Sequence, residues 1–294
     1  MTAEGVLRSV LFVPASRPAW VADLDRYGAD AVILDLEDSV PEEGKSAARD
    51  LVTETLLGAT HSTTVFVRVN GPTTGRMVDD LRAAVAGGVS GVCVPKIITP
   101  ADLNGVDTVL HDAELQAGVS VGRTGVLLIP ETAPALRDLD ALAQDRRVRW
   151  VAGVSGRDGD VARSVGFEWS VEGLESLMLQ SKVVLDARAA GVEHPIAGLW
   201  QDVHDLAGFE RRARHHRALG FAGELLLHPG QVPAAHRVYT PSAKRLDHYR
   251  GLVDAVERGR REGRSSVVYA GEHVDEAHLQ TASAFLARWD RGRT

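Results

Sequence analysis

The chain has 294 residues, 44% of them hydrophobic and 25% charged, with a net charge of −7. That composition excludes a disordered chain, which buries too little apolar surface to fold, and no apolar run approaches the roughly 20 residues that span a bilayer. An acidic balance with 5% aromatic residues argues against nucleic-acid binding, which calls for a basic face or stacking platforms.

The first apolar stretch, LRSVLFVP, is too short for the core of a secretion signal and runs straight into patterned sequence, so a cytoplasmic protein is expected. The single cysteine, Cys93, rules out an internal disulfide and any multi-cysteine zinc site. It sits in the apolar run VSGVCVPK and reads as a packing residue.

In chain order, β-rich runs fall at 8–13 (RSVLFV), 30–35 (DAVILD), 64–69 (TVFVRV), 90–95 (SGVCVP), 125–130 (GVLLIP), 149–154 (RWVAGV), 195–200 (PIAGLW) and 222–227 (AGELLL). Most are continuously apolar, as strands covered on both faces are. Helix-compatible segments separate them at 19–28, 42–57, 75–87, 100–117, 134–145, 172–191 and 207–219, with Gly28, Gly58, Gly87, Gly191 and Gly220 where helices should stop. Eight strand–helix units predict an α/β fold, a (β/α)8 TIM barrel over residues 1–240. A doubly wound sheet is the alternative, but no Gly-x-Gly-x-x-Gly follows the first strand. Residues 241–294 form a C-terminal helical extension, with a helix at 242–262, a strand at 265–272 and a helix from about 274 to 290. It packs on its own barrel or reaches a neighbouring subunit.

In such a barrel the site lies at the strand ends, where polar residues gather: Asp35, Glu37 and Asp38 after the second run, Arg68 and Asn70 after the third, Lys96 after the fourth, and Glu131 after the fifth. Ser155-Gly156-Arg157-Asp158-Gly159-Asp160 follows the sixth, and His228 and Gln231 follow the eighth. Glu131 and Asp160, carboxylates on adjacent units without a Cys or His partner, suit a hard cation such as Mg²⁺; alternatively Glu131 caps the following helix and Asp160 starts another. Arg68 must meet an anion, either Asp35 or Glu37 or a substrate carboxylate or enolate. Lys96 reads as a solvated or ion-paired lysine, with a Schiff-base amine as the alternative. The string Arg211, Arg212, Arg214, His215, His216, Arg217 is expected to be a solvated helix surface, and Trp150 and Trp200 to be packing anchors.

The opening RSVLFVPASRPAWVADLDRYGADAVILDLEDSVPEEGKSAAR, with VFVRVNGP, GVCVPKI, LLIPETA and RALGFAGELLLHPGQV, resembles the citrate lyase beta-subunit family, which includes malyl-CoA and citramalyl-CoA lyases. The resemblance spans most of the chain. It implies a (β/α)8 barrel assembled as a homotrimer or hexamer that uses Mg²⁺ to make or break a carbon–carbon bond between an acyl-CoA thioester and a 2-oxo acid. It implies Glu131 and Asp160 as metal ligands, Arg68 as the arginine facing substrate, Asp35, Glu37 and Asp38 as the acidic loop, and Arg17 as a contact for CoA phosphates. One departure is Gly159, where the family usually has glutamate, and it leaves Asp158 as an alternative ligand. Gly271-Glu272-His273-Val274-Asp275 resembles the element that carries an acid or base into the neighbouring subunit's site; an N-cap is the competing role for Asp275. Two other functions compete with a CoA lyase: a lyase subunit acting on an acyl-carrier protein, and a catalytically altered relative that binds Mg²⁺ and a 2-oxo acid.

Overall fold

The structure, a computed structural model, describes residues 6–58, 61–154 and 157–290. The chain divides into two compact units, one running from Leu7 to Tyr239 and the other made mainly of the residues from Thr240 onward.

The first unit is a parallel barrel with helices around it. Its strands are β1 Ser9–Pro14, β2 Ala31–Asp35, β3 Thr64–Arg68, β4 Gly91–Cys93, β5 Gly125–Leu128, β6 Val148–Val151, β7 Ile196–Ala197 and β8 Gly223–Leu226. They are hydrogen-bonded in the order β6-β5-β4-β3-β2-β1-β8-β7, and a parallel bridge between Ala152 and Ile196 brings the two ends together. All eight expected strands are present: β1 is shifted by one residue, β7 keeps two of its six, and the others are shorter by one to three residues.

Side chains alternate along each strand, so one set fills the lumen and the other faces the helices. Val10, Ile33, Phe66, Cys93, Leu127, Ile129, Trp150 and Leu225 form the lumen cluster, whereas Leu11, Val32, Leu34, Val67, Val126 and Val151 belong to the larger layer beneath the helices. Trp150 meets Phe66 edge to face at 4.7 Å. Its indole lies so close to β4 and β5 that a Cβ at Gly91 or Gly125 would come within 2.8 Å or 2.7 Å of it, which is why both strands begin with glycine. The expectation that Cys93 and Trp150 are packing residues is met.

Two expected helices are broken. The segment 19–28 becomes a short helix at Pro18–Val21 and a 3₁₀ turn at Asp25–Tyr27, because Asp25 turns its carboxylate to the amides of Ser62 (3.1 Å) and Thr63 (2.9 Å). The segment 134–145 splits at Asp138 into Ala133–Arg137 and Leu139–Ala143. The helix Asp160–Val165 is the one that the alternative role of Asp160 calls for, and an unforeseen helix, Val232–Tyr239, completes the shell.

The second unit holds a helix at Ala243–Arg261, an antiparallel hairpin of β9 Ser266–Tyr269 and β10 Glu272–Asp275, and a helix at Glu276–Asp290. Leu252, Val256, Val274, Leu279 and Ala282 make its core. The expected single strand at 265–272 is thus a hairpin, turned at Ala270 and Gly271, both with positive φ. Among the described residues no helix is long and apolar enough to cross a membrane.

Candidate functional site

The site grows out of the lumen alternation. Asp35 ends β2 and Arg68 ends β3, and the two are register partners, so their side chains emerge side by side at the barrel mouth. Arg68 donates from Nε to Asp35 Oδ1 and from Nη2 to Asp35 Oδ2, both at 2.7 Å, a two-pronged geometry that only a guanidinium offers. Its Nη1 lies 3.1 Å from Glu37 Oε2 and 3.5 Å from Asp38 Oδ2. Beneath it the Phe12 ring centroid is 5.0 Å away. Burial works against both charges, but the pairing outweighs it: the Asp35 carboxyl is held below its ordinary value and the Arg68 guanidinium above its own.

The loop after Asp35 is folded back on it. The amides of Glu37 (2.9 Å) and Ser39 (3.2 Å) donate to the Asp35 carboxylate, and Lys45 Nζ donates to the carbonyls of Leu36 (3.0 Å) and Glu37 (2.9 Å). Asp35 is only 2% exposed, its carboxylate taken up by Arg68 and the loop amides. Lys96 follows β4 with φ of 60°, and its exposed ammonium is 3.6 Å from Glu37 Oε1. Burial pushes the Glu37 carboxyl up, against the pull of Arg68.

Glu131 continues the inward alternation of Leu127 and Ile129, three residues past the end of β5. Burial first, then the negative charge of Glu37, raise its pKa to about 7; Arg68 opposes this and Asp160 adds to it. Glu131 does not cap the next helix, a role taken by Thr132, whose side chain accepts from the Ala135 amide. Asp160 opens the helix Asp160–Val165 and touches Arg163. Asp158 is exposed, with φ of 51°. Ser155 and Gly156 lie outside the described residues.

The mouth therefore gathers Asp35, Glu37, Asp38, Glu131 and Asp160 around Arg68 and Lys96. A carboxyl driven up to about 7 by burial and like charge is one that a hard cation would return to its ionised form. Among the described residues no group of three or more His, Cys, Asp or Glu side chains is placed to hold a metal ion; Glu131 and Asp160, whose charges interact, are a pair of carboxylates of the kind that Mg²⁺ accepts beside waters and substrate oxygens.

Arg17 stands exposed at the start of the first helix, its Cζ 5.9 Å from the Trp20 ring. Asp275 lies in the second unit, where its Oδ1 accepts from the Ala277 amide (3.1 Å) and pairs with His278 Nδ1 (2.7 Å). The His278 hydrogen bond holds the Asp275 carboxyl below its ordinary value. At the opposite end of the barrel Ser9 Oγ lies 2.8 Å from His236 Nε2, but Asp30 approaches the same ring nitrogen at 3.5 Å, so no acid–histidine–serine relay is formed.

Phe12 and Lys45 are the supporting residues that sequence reasoning missed. Phe12 could have been found from its period-two spacing with Val10, whereas Lys45 carries no local signal, because its partners are carbonyls. The basic string 211–217 needs correction as well. Arg211, Arg214, His215 and Arg217 are exposed, but His216 is 4% exposed and paired with Glu224 at 2.9 Å, and Arg212, four residues earlier, shares its inward face. Trp200 does pack, edge to face with Trp169 at 6.0 Å, but its indole N–H lacks a partner.

The family model described as HpcH/HpaI aldolase/citrate lyase matches residues 8–229. The citrate lyase subunit beta of Escherichia coli K12 is 34% identical over 284 residues, covering 96% of this chain and 92% of that protein. A (3S)-malyl-CoA thioesterase of Cereibacter sphaeroides is 29% identical, with 96% and 94% covered. The crystal structure of CitE from Mycobacterium tuberculosis in complex with magnesium, acetoacetate and coenzyme A is 27% identical at a TM-score of 0.74, covering 97% of this chain and 98% of that one. A citrate lyase structure from Burkholderia xenovorans reaches a TM-score of 0.82 at 17% identity, a likeness of fold. Matched by the family model over most of its length and by a relative across nearly all of it, the chain belongs to the HpcH/HpaI aldolase/citrate lyase family, a family of lyases.

Proposed function

We propose that the protein is a Mg²⁺-dependent carbon–carbon lyase that cleaves a 3-hydroxyacyl thioester of the malyl-CoA, citramalyl-CoA or citryl-CoA type into an acyl-CoA and a 2-oxo acid, or joins them in reverse. The observation that carries this reading is Glu131, a carboxyl at the mouth raised to about 7 by burial and by the charges of Glu37 and Asp160. The CitE structure, which contains magnesium, acetoacetate and coenzyme A, supports it from outside. Glu131 and Asp160 would hold the ion, which supplies a Lewis acid for the oxygens of the oxo-acid fragment.

The chain's own residues do the rest. Arg68 offers a fixed positive charge where the thioester enolate develops, and it needs no reorganisation because Asp35, Glu37 and Phe12 already hold it. Lys96 adds a mobile ammonium at the rim for a substrate carboxylate, with Glu37 and Asp38 framing the same opening. Arg17 meets the CoA phosphates. As the carbon–carbon bond breaks, its electron pair becomes the enolate and the hydroxyl proton leaves to water; Asp275 of a neighbouring subunit, released from the His278 bond that keeps it ionised and having taken up a proton from water, delivers that proton to the enolate carbon. This assigns the protein a homo-oligomer, trimer or hexamer, in the cytoplasm.

Two further readings have specific support. The 34% identity to citrate lyase subunit beta favours a carrier-protein thioester as substrate, and the malyl-CoA thioesterase relatives favour hydrolysis. The test is to incubate the full chain with Mg²⁺ and each of the three CoA thioesters, following 2-oxo acid and free thiol separately. Release of 2-oxo acid without free thiol is the result expected. Free thiol without 2-oxo acid would replace the lyase reading with hydrolysis, and turnover only of a carrier-bound thioester would replace free CoA. Binding of pyruvate with Mg²⁺ and no turnover of any thioester would identify a catalytically altered relative.

A further inference from the structure

The barrel wall contains a small cavity that the mouth does not use. It lies between β7, β8 and the helix Leu206–Leu219, and its lining includes Trp169, Trp200, Phe209, Arg212, His216 and Glu224. Glu224, on β8 and 1% exposed, accepts from Tyr239 Oη at 2.7 Å and pairs with His216 Nδ1 at 2.9 Å. The other ring nitrogen, His216 Nε2, and the indole Nε1 of Trp200 are both buried without a partner. Arg212, which donates to Ser176 Oγ at 3.2 Å, has no carboxylate within ion-pair distance among the described residues.

Buried polar atoms are nearly always hydrogen-bonded, and a single cavity here serves two that are not. The space open to the centre of a water-sized sphere is about 10 Å³, close to the least that holds one water. We propose that this cavity is a binding site for one buried water, which accepts from Trp200 Nε1–H and donates to His216 Nε2. A halide of similar size fits worse, because the Glu224 carboxylate lines the same space and because an anion has nothing to donate to a bare imidazole nitrogen. The water has a definite task. By occupying Nε2 as an acceptor it fixes the proton on Nδ1, so His216 becomes a donor to Glu224 and the buried strand carboxylate has two donors, the second being Tyr239. The inference is independent of the reaction at the mouth.

The test is a crystal structure of the full chain, with and without a bromide soak, together with nitrogen-15 NMR of labelled histidine. One density peak within hydrogen-bond distance of both Trp200 Nε1 and His216 Nε2, without anomalous bromide signal, is expected, as are a bare Nε2 and a protonated Nδ1. In Trp200→Phe, which lacks the indole donor, the peak should be lost while the helical circular dichroism is kept. An empty cavity, bromide at the peak, or a proton on Nε2 with Nδ1 bare would each overturn the proposal, as would a peak unchanged in Trp200→Phe.

Discussion

Glu131 at the mouth of the barrel and Glu114 at its foot are both drawn out of water, yet their carboxyl groups shift in opposite directions. At the foot, Glu114 is completely buried, and burial alone would raise its pKa. It nevertheless falls below its ordinary value, because Arg147 grips it through Nη1 (2.8 Å) and Nη2 (3.0 Å) and the amides of Thr124 and Gly122 each donate at 2.7 Å. At the mouth, Glu131 has like charges for neighbours and rises to about 7. At the foot, Glu114 and Arg147 are matched to each other and to backbone groups. The mouth concentrates negative charge around a guanidinium already paired with Asp35, the pattern of perturbed carboxyls that marks a candidate site.

The sharpest way to break this contrast is Glu131→Gln. We expect turnover to fall by about 10³-fold while the unfolding transition stays cooperative at an unchanged or higher temperature, since a buried charge has been removed from a crowded site. Steady-state assays and calorimetry on the same preparation check both halves, and full activity in the variant would remove Glu131 from the chemistry.

The matching change at the foot is Arg147→Ala. It leaves Glu114 buried and unpaired, and should destabilise the protein by about 3–5 kcal/mol in urea titrations, with little effect on the kcat of the folded fraction. A loss below about 1 kcal/mol would show that water reaches Glu114 and that the two ends differ less than their geometry suggests.

Adding Mg²⁺ should stabilise the wild type by about 2.7 kcal/mol at a hundredfold excess over its Kd, and should not stabilise Glu131→Gln. Thermal melts with and without chelator read this directly.

The smallest effect is on pH dependence. Burial raises the carboxyls of Asp107 and Glu114, but Arg147 outweighs it and holds both below their ordinary values of 3.8 and 4.5. Below about pH 5 the unfolded chain therefore binds more protons at these groups than the folded one, and stability falls as the pH falls. Above that range their contribution is constant. In Arg147→Ala, Glu114 loses the partner that lowered it, so acid should cost that variant less stability than it costs the wild type.

The strands and the gathering of charged side chains at their C-terminal ends were legible because each depends on a local pattern. Eight apolar runs become eight strands, and the period-two spacing of Leu127, Ile129 and Glu131 carries a carboxylate to the mouth without any long-range knowledge. What escaped reading depends on partners distant in sequence. The helix at 19–28 is broken because Asp25 serves the amides of Ser62 and Thr63, and the turn at Ala270-Gly271 lacks the Asn-Gly that announces a hairpin. His216 looked like part of a solvated basic face, although Glu224 in GELLL was the available warning: a charge in the middle of a strand must be answered from the helix packed over it. Arg68 was readable as an ion that needs an anion. That it would meet three carboxylates and the Phe12 ring required the register of β2 against β3.

The tryptophan seated on the glycines of the fourth and fifth strands has a corollary for access. Trp150 and Phe66 meet edge to face among the side chains that fill the lumen, so the barrel is a packed core and not a pore. A molecule that reached the strand ends would have to leave by the side it entered.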